Sequence, residues 1–230
     1  MNTAPTTCAT PAARSGPGLS RRQLLGATLL AVGLPALAAC GRKPPKAQAV
    51  APGATVLALG DSLTSGVGAS TDTAYPALLQ GLTGWKVVNG GVSGDTSAQA
   101  LARLPALLQT HQPALVIVGI GGNDFLRRQN ASTTRAQIRQ ICTDARASGA
   151  QVLLVAVPEL SLMAAAGRLS DHAMYEEIAD ELKLPLHAKG WSAVLANEGL
   201  RADSVHPNAA GYAQFVEGLV GTLKKTGLLV

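Results

Sequence analysis

Short apolar runs that alternate with helical patterns are the feature of this sequence that most constrains its fold. Residues 55–60, 114–119 and 151–157 are almost continuously apolar, contain β-branched side chains, and are stopped by Gly or Pro. Residues 85–89 predict a further strand. Runs of this kind are typical of strands that are buried on both faces, as in a parallel sheet covered by helices.

Helical patterns separate these strands. They lie near residues 74–83, 96–110, 133–148, 171–182 and 207–225. This alternation predicts one three-layer α/β/α domain with a mostly parallel sheet, whose functional residues lie beyond the carboxyl ends of the strands. We also expect Pro105 to bend or interrupt its helix, because proline lacks an N–H donor and crowds the preceding turn.

The first 39 residues have the layout of an export signal. They contain no acidic residue, and Arg21-Arg22 precede an uncharged stretch that ends at Cys40. Small residues lead up to that cysteine, as they do at a signal cleavage site. Residues 20–25 resemble a twin-arginine signal with Leu where Phe is common, and an ordinary secretory signal is the alternative. A permanent transmembrane helix is less favoured because the apolar stretch is short.

A second signal overlaps the end of this leader. Leu37-Ala38-Ala39-Cys40 resembles a bacterial lipobox, in which the cysteine becomes the lipid-carrying first residue of the mature protein. Acyl chains on Cys40 would hold the protein at a membrane, since each buried methylene contributes about 0.8 kcal/mol; a chance Cys after a cleavage site is the alternative. Residues 41–53 contain three prolines and predict an extended tether. We therefore expect the folded domain over residues 54–230.

Composition excludes several kinds of function. The formal charge is +5, but every Asp and Glu follows residue 60, so the body after the leader is close to neutral. No stripe of Lys and Arg interleaved with aromatic residues is present, and no nucleic-acid partner is expected. Cys8, Cys40 and Cys142 form no CxxC pair and have no His at ligand spacing, so no metal site is expected. Cys142 lies in a helical pattern and predicts a buried, inert thiol.

Four short polar motifs carry the candidate chemistry, three after strands and one before the last helix. They are Gly60-Asp61-Ser62-Leu63, Gly91-Val92-Ser93-Gly94-Asp95, Gly121-Gly122-Asn123-Asp124 and Asp203-Ser204-Val205-His206-Pro207-Asn208. Because the carboxyl ends of parallel strands share one edge of a sheet, we expect these motifs to converge.

Ser62, His206 and Asp203 can supply a catalytic triad. A serine hydroxyl is a poor nucleophile until a base takes its proton, and the base needs a third group to fix its tautomer. Asp203 precedes His206 by three positions and could accept from the far ring nitrogen. Pro207 is expected at the first position of the last helix, where it would fix His206 at the helix entry.

An oxyanion that develops during such a reaction needs donors aimed at it. The backbone N–H groups of Ser62 and Gly94 and the side-chain amide of Asn123 are the candidates. The aspartates of these motifs, Asp61 and Asp124 with Asp95, are expected to cap helices or brace loops.

Taken together, the four motifs resemble the signature blocks of the SGNH (GDSL) hydrolase family. The agreement in order and spacing extends over about 150 residues. Residues 94–97 and 101–108 are similar to the branch that contains bacterial multifunctional thioesterases, lysophospholipases and arylesterases. The resemblance implies a flavodoxin-like fold, no metal or cofactor, and hydrolysis of esters or thioesters through an acyl-enzyme on Ser62. Residues 158–200 depart from that branch, which leaves the substrate and its acyl length open.

Substrate contacts are harder to assign. Leu160, Leu162 and Met163 follow a strand with more apolar surface than a loop needs, so they could line an acyl groove or form a short helix over the core. Lysophospholipids are candidate substrates for an enzyme tethered beside lipid. A carbohydrate O-deacetylase of the cell envelope and a non-catalytic envelope-binding lipoprotein are the alternatives. The remaining histidines, His111, His172 and His187, are expected to be structural or solvated.

Overall fold

The computed structural model describes residues 47–159 and 169–230. Its strands are β1 (Thr55–Gly60), β2 (Lys86–Gly91), β3 (Leu115–Gly119), β4 (Gln151–Val155) and β5 (Leu186–His187). These five strands form one parallel sheet in the order β2-β1-β3-β4-β5. That order is the flavodoxin-like one, so the predicted fold is confirmed. The predicted signal and Cys40 lie outside the described residues.

Helices cover both faces of the sheet. Within the same two ranges they are α1 (Ser62–Ser65), α2 (Tyr75–Thr83), α3 (Ser97–His111), α4 (Gly122–Leu126), α5 (Ala131–Ala147), α6 (Met174–Leu182), α7 (Gly190–Ala196) and α8 (Ala209–Thr226). Helix α5 contacts α3 and α6, whereas α8 contacts α2 and α7. Right-handed crossovers in a sheet of this order place these two groups on opposite faces. In the part of the chain described, no helix is long and apolar enough to cross a membrane.

Helix α3 does not break at Pro105, so of the two predicted outcomes, a bend or an interruption, the interruption does not occur. It runs from residue 97 to 111 with Pro105 inside it. The proline ring is exposed, while Ala100 and Leu104 on the other face are fully buried. Thr96 and Gln99 also close a capping box at the start of the helix. Burial and capping therefore offset the single hydrogen bond that proline cannot make.

The few aromatic residues are concentrated between α2, α7 and α8. Trp191 and Phe215 stack with ring centroids 3.5 Å apart. Tyr75 and Tyr212 meet Trp191 edge-on, at 6.0 and 5.8 Å. Aromatic pairs in such arrangements contribute about 0.5–1.5 kcal/mol beyond the area that they bury. This cluster fixes the position of α8, which directly follows the loop that carries the predicted base.

Residues 47–53, which belong to the predicted tether, pack against the domain. Val50 is 6% exposed, and its N–H donates to the carbonyl oxygen of Leu228 at 2.9 Å. The Val50 carbonyl accepts from the indole of Trp85 at 3.3 Å. Ala47 also donates to the carbonyl of Thr226, at 3.2 Å. A polar, Pro-containing segment predicts a tether, but one apolar side chain, that of Val50, suffices to anchor it.

Strand β5 and helix α7 were not predicted from the sequence. Together they bury His187. A two-residue strand and a seven-residue helix give too short a periodic signal to detect. His187 Nδ1 lies 2.8 Å from Thr222 Oγ1, which itself donates to the Gly218 carbonyl. Nδ1 therefore carries the proton and donates. Among the described residues, Nε2 of His187 has no partner, and burial lowers the pKa of His187 to about 4.

Replacing His187 with Gln should reduce the amount of stability that the protein loses in acid. The unfolded histidine titrates near 6.5 and the folded one near 4, so the unfolded state binds more protons between these values. The stability that this difference in pKa provides above pH 6.5 is then lost as the pH falls towards 4. Urea unfolding at pH 7 and pH 4.5 should show that the wild type loses about 2–3 kcal/mol more than His187→Gln. Other titrating groups cancel in this comparison, and equal losses in the two proteins would refute the assignment.

Candidate active site

Glycines at the carboxyl ends of β1 and β3 let the predicted motifs meet. Gly60 and Gly119 are partners in the parallel register. A Cβ atom on Gly60 would lie 2.4 Å from the Gly119 carbonyl oxygen and 2.1 Å from Thr64 Oγ1, so a side chain is excluded there. The strand order changes direction between β1 and β3, which is where open α/β sheets bind their ligands. The convergence predicted from the strand-end motifs is thus observed.

Ser62, His206 and Asp203 form a continuous hydrogen-bonded chain. Ser62 is the first residue of α1, and its Oγ lies 3.0 Å from His206 Nε2. His206 Nδ1 lies 2.7 Å from Asp203 Oδ2. An ionised carboxylate can only accept, so Nδ1 carries the proton and Nε2 is free to accept from the serine hydroxyl. This arrangement can remove the proton of Ser62 as the hydroxyl attacks a substrate.

Asp203 is held by the loop to which it belongs. Its Oδ1 accepts from the backbone N–H groups of Val205 and His206, both at 2.8 Å. Partial burial acts to raise the pKa of Asp203, but the hydrogen bonds from the His206 ring and from the two N–H groups outweigh it, and the pKa is lowered. The carboxylate therefore stays ionised and can orient the imidazole and stabilise its cation.

The predicted helix start at Pro207 is wrong by two residues. Asn208 is the N-cap of α8, and its side chain accepts a backbone N–H of the first turn, a cap that proline cannot supply. Pro207 pairs instead with Arg201 in an antiparallel bridge. Ala202 N–H donates to the carbonyl of His206 at 2.9 Å. Backbone pairing, not a proline at the helix entry, holds His206 in place.

Ser62, Gly94 and Asn123 line the same pocket as His206. Gly94 has a φ of +84°, a left-handed conformation that favours glycine. Asn123, in α4, donates from Nδ2 to the carbonyl oxygen of Asp95 at 2.9 Å. An amide nitrogen carries two hydrogens, so this bond fixes the side chain and leaves one hydrogen for a ligand. The structure brings the three candidates together, and their binding of an oxyanion stays a prediction.

Asp61 caps α1 beside the nucleophile. Its Oδ1 accepts from the backbone N–H of Leu63 at 3.1 Å, which confirms the predicted capping role. Burial raises the pKa of Asp61 to about 7, against the opposing effects of the Leu63 hydrogen bond and of nearby His206. Nothing in the sequence indicates this shift, because it depends on burial in the folded protein.

Asp124 and Asp95 brace the loops that carry two of the oxyanion candidates. Asp124 accepts from the backbone N–H of Ser97 at 2.9 Å and from its hydroxyl at 2.6 Å, at the first turn of α3. Asp95 pairs with Arg103, farther along α3, at 2.7 Å. The predicted bracing role is confirmed for both. Within residues 47–159 and 169–230, no group of His, Cys, Asp and Glu side chains could hold a metal ion.

Comparison with known proteins agrees with this geometry. Residues 58–214 match the GDSL-like lipase/acylhydrolase family. The chain belongs to this family. The resemblance to SGNH hydrolases expected from the motifs is therefore confirmed, and the chain is an ester-bond hydrolase.

Named relatives cover most of the domain. The thioesterase 1/protease 1/lysophospholipase L1 of Escherichia coli (strain K12) is 42% identical over 160 residues, covering 67% of this chain and 76% of that protein. Esterase TesA of Pseudomonas aeruginosa is 35% identical over 176 residues, covering 74% of this chain and 88% of that protein. A crystal structure of TesA matches with a TM-score of 0.66 at 34% identity, covering 75% of this chain and 99% of that chain.

The pocket around Ser62 and His206 also has apolar walls. Leu126, Val157, Leu195 and Val205 line it beside the polar groups. None of these four was predicted from the sequence as a pocket residue. Val157 ends a predicted strand and could have been found, whereas Leu195 lies on α7, which had no detectable signal. The predicted substrate contacts Leu160, Leu162 and Met163 lie outside the described residues.

The loop after α1 and the loop that carries His206 approach each other closely. Gly68 has a φ of +92°, and a Cβ atom there would lie 2.2 Å from the carbonyl oxygen of Pro207. The preceding carbonyl, that of Val67, accepts from the hydroxyl of Tyr212 on α8 at 2.9 Å. The loop after α1 therefore rests directly on the loop that carries His206. No sequence spacing signals this contact, because the two loops are far apart along the chain.

Replacing Gly68 with Ala should lower kcat about tenfold or more in this GDSL-family enzyme. The added methyl group must push the Pro207 loop away, and a displacement of about 1 Å can cost about 10²-fold in rate. Gly149→Ala is the matched control, since Gly149 has a φ of +94° with nothing within 4 Å of a Cβ. Both variants bear the backbone strain, of about 1–3 kcal/mol, but only Gly68→Ala should lose turnover of p-nitrophenyl butyrate. Equal kcat values would show that the contact does not set the geometry.

Proposed function

We propose that this enzyme hydrolyses carboxylic esters and thioesters through an acyl-enzyme on Ser62. The hydrogen-bonded chain from Asp203 through His206 to Ser62 Oγ is the observation that carries the proposal. Both of its distances lie within the reach needed for proton transfer between a nucleophile, its base and an orienting group.

In the first half of the reaction, Ser62 Oγ attacks the carbonyl carbon and His206 Nε2 takes its proton. Asp203 stabilises the resulting imidazolium. The negative charge on the carbonyl oxygen is bound by the N–H groups of Ser62 and Gly94 and by the free amide hydrogen of Asn123. His206 then protonates the leaving oxygen or sulfur, whose bond to carbon breaks.

In the second half, water attacks the acyl-enzyme. His206 takes one proton from the water, and the same oxyanion donors bind the new tetrahedral intermediate. Collapse of this intermediate breaks the bond to Ser62 Oγ, which recovers a proton from His206. The products are a carboxylic acid and an alcohol or thiol, and every step uses groups of this chain and water alone.

We infer that the preferred acyl group is apolar and longer than acetyl. The pocket walls at Leu126, Val157, Leu195 and Val205 offer aliphatic contacts to such a group. The relatives are named as a thioesterase and lysophospholipase and as an esterase, which supports acyl esters and thioesters, lysophospholipids among them, as the substrate class.

Turnover of p-nitrophenyl esters from acetyl to decanoyl tests this proposal. We expect kcat/KM to rise from the acetyl ester to medium chains, because each added buried methylene contributes about 0.8 kcal/mol. Ser62→Ala should lose about 10⁴-fold or more in kcat on every ester, while Ser148→Ala, at an exposed serine, should not. Turnover of the acetyl ester alone would favour the carbohydrate O-deacetylase, and persistent activity in Ser62→Ala would overturn the mechanism.

We further propose that the enzyme is exported and anchored to a membrane through lipid on Cys40. The uncharged leader after Arg21-Arg22 and the Leu37-Ala38-Ala39-Cys40 motif support this. Anchoring beside lipid would raise the local concentration of amphiphilic esters.

Replacing Cys40 with Ser should release the active enzyme from membranes. The substitution removes the only lipid acceptor of the motif. Residues 41–46 separate position 40 from the packed segment that begins at residue 47. Cys8→Ser is the matched control, because it removes a leader cysteine outside the motif. Cell fractionation and labelling with radioactive palmitate should show soluble, unlabelled, active Cys40→Ser and membrane-bound, labelled Cys8→Ser. Membrane retention of Cys40→Ser would mean that the apolar leader is itself the anchor.

A further inference from the structure

One guanidinium group links the two strand-end loops of the site. Arg103, on α3, donates from Nε to Asp95 Oδ2 at 2.7 Å and from Nη2 to the carbonyl oxygen of Gly60 at 2.9 Å. The side chains of Arg103 and Asp95 are 23% and 9% exposed, so this ion pair is largely sheltered from water. A planar, delocalised guanidinium can hold two acceptors at a fixed separation, which a single ammonium cannot do.

The Gly60 carbonyl is the point at which the nucleophile loop leaves β1. Besides Arg103, it accepts from the backbone N–H of Val92 at 3.1 Å. Gly60 precedes Ser62 by two residues. Arg103 therefore holds the Gly60–Asp61 peptide plane, which directly precedes the peptide that carries the N–H of Ser62.

Asp95 connects the same guanidinium to the other two oxyanion candidates. It directly follows Gly94, and its own N–H donates to the carbonyl of Val92 at 3.1 Å. Its carbonyl accepts from Asn123 Nδ2 at 2.9 Å. A shift of Asp95 would thus move the N–H of Gly94 and the amide of Asn123 together.

We propose that Arg103 is a positioning residue that sets the relative placement of all three oxyanion donors. This rests on the proposed function, because it requires that Ser62, Gly94 and Asn123 bind the oxyanion. Arg103 is not among the described residues that line the pocket. Its effect should therefore be felt in the transition state, when the donors must align, and much less in substrate binding.

Arg103→Met and Arg103→Lys test this proposal on the full-length enzyme. The matched control is Arg135→Met, which removes an arginine that also pairs with two acceptors, Glu177 and Glu181, but on the exposed faces of α5 and α6. For each protein, kcat and KM for p-nitrophenyl butyrate are measured per active site titrated with a fluorophosphonate. The inhibition constant of butylboronic acid is measured in parallel, since Ser62 Oγ adds to its boron, the serine proton passes to His206, and a tetrahedral anion results.

Arg103→Met should lower kcat at least tenfold. For comparison, removing one oxyanion donor outright lowers kcat by roughly 10²–10³-fold. KM should change less than about threefold, and affinity for the boronic acid should fall in parallel with kcat. Arg103→Lys should be intermediate, because it keeps the charge with one nitrogen, and Arg135→Met should match the wild type. If Arg103→Met does not fold, the same comparison on Arg103→Lys decides.

Two results would overturn the proposal. One is a kcat per titrated site within twofold of the wild type in a folded Arg103 variant. The other is a loss that lies entirely in KM, with boronic acid affinity unchanged. Ser62→Ala and Asn123→Ala are assayed alongside. If they lose activity while the Arg103 variants do not, only the positioning role fails, whereas full activity in Ser62→Ala would show that the proposed function itself is wrong.

Discussion

The parallel pairing of β1 with both β2 and β3 is the constraint on which the rest of the site depends. Gly60 lies opposite Gly91 on one side and Gly119 on the other, so three chain segments leave the sheet at the same level. Neither Gly60 nor Gly91 admits a side chain. A Cβ on Gly91 would lie 2.2 Å from the backbone nitrogen of Ser65. A register slip of one residue would turn the buried side chains of β1 to the other face and separate the loops.

The catalytic groups form two halves that are fixed in different ways. Ser62, Gly94 and Asn123 are close to the sheet. Asp95, which follows Gly94, accepts from Asn123 and pairs with Arg103, and Arg103 donates to the Gly60 carbonyl two residues before Ser62. His206 and Asp203 enter from the far end of the chain and depend on the packing of α8. The stacked Trp191 and Phe215 and their neighbours hold that helix, and the Tyr212 hydroxyl ties it to the nucleophile loop. The aromatic cluster thus positions the helix that directly follows the loop of His206.

Local sequence patterns predicted those features of the structure that depend on residues close together in the sequence. Buried strands are continuous apolar runs, and the motifs of Ser62, Gly94 and Asn123 follow strand ends, so the fold class and the edge of the sheet at which these motifs meet could be predicted from the sequence. β5 and α7 were missed because each is too short for its period to show. The Gly68 contact, the Arg103 bridge and the raised pKa of Asp61 arise between segments that meet only in the folded chain. The continuity of α3 through Pro105 likewise reflects tertiary burial, which overrode a correct local rule.

The covalent intermediate on Ser62 is the most direct test of the account. A fluorophosphonate loses fluoride to an activated serine and leaves a stable phosphonyl group in place of the acyl group. Intact mass and peptide mapping should find one phosphonyl group per chain, on the peptide that contains Ser62, with ester turnover lost in proportion to labelling. Full turnover by enzyme that is completely phosphonylated at Ser62, or inactivation through a label on another residue, would contradict it.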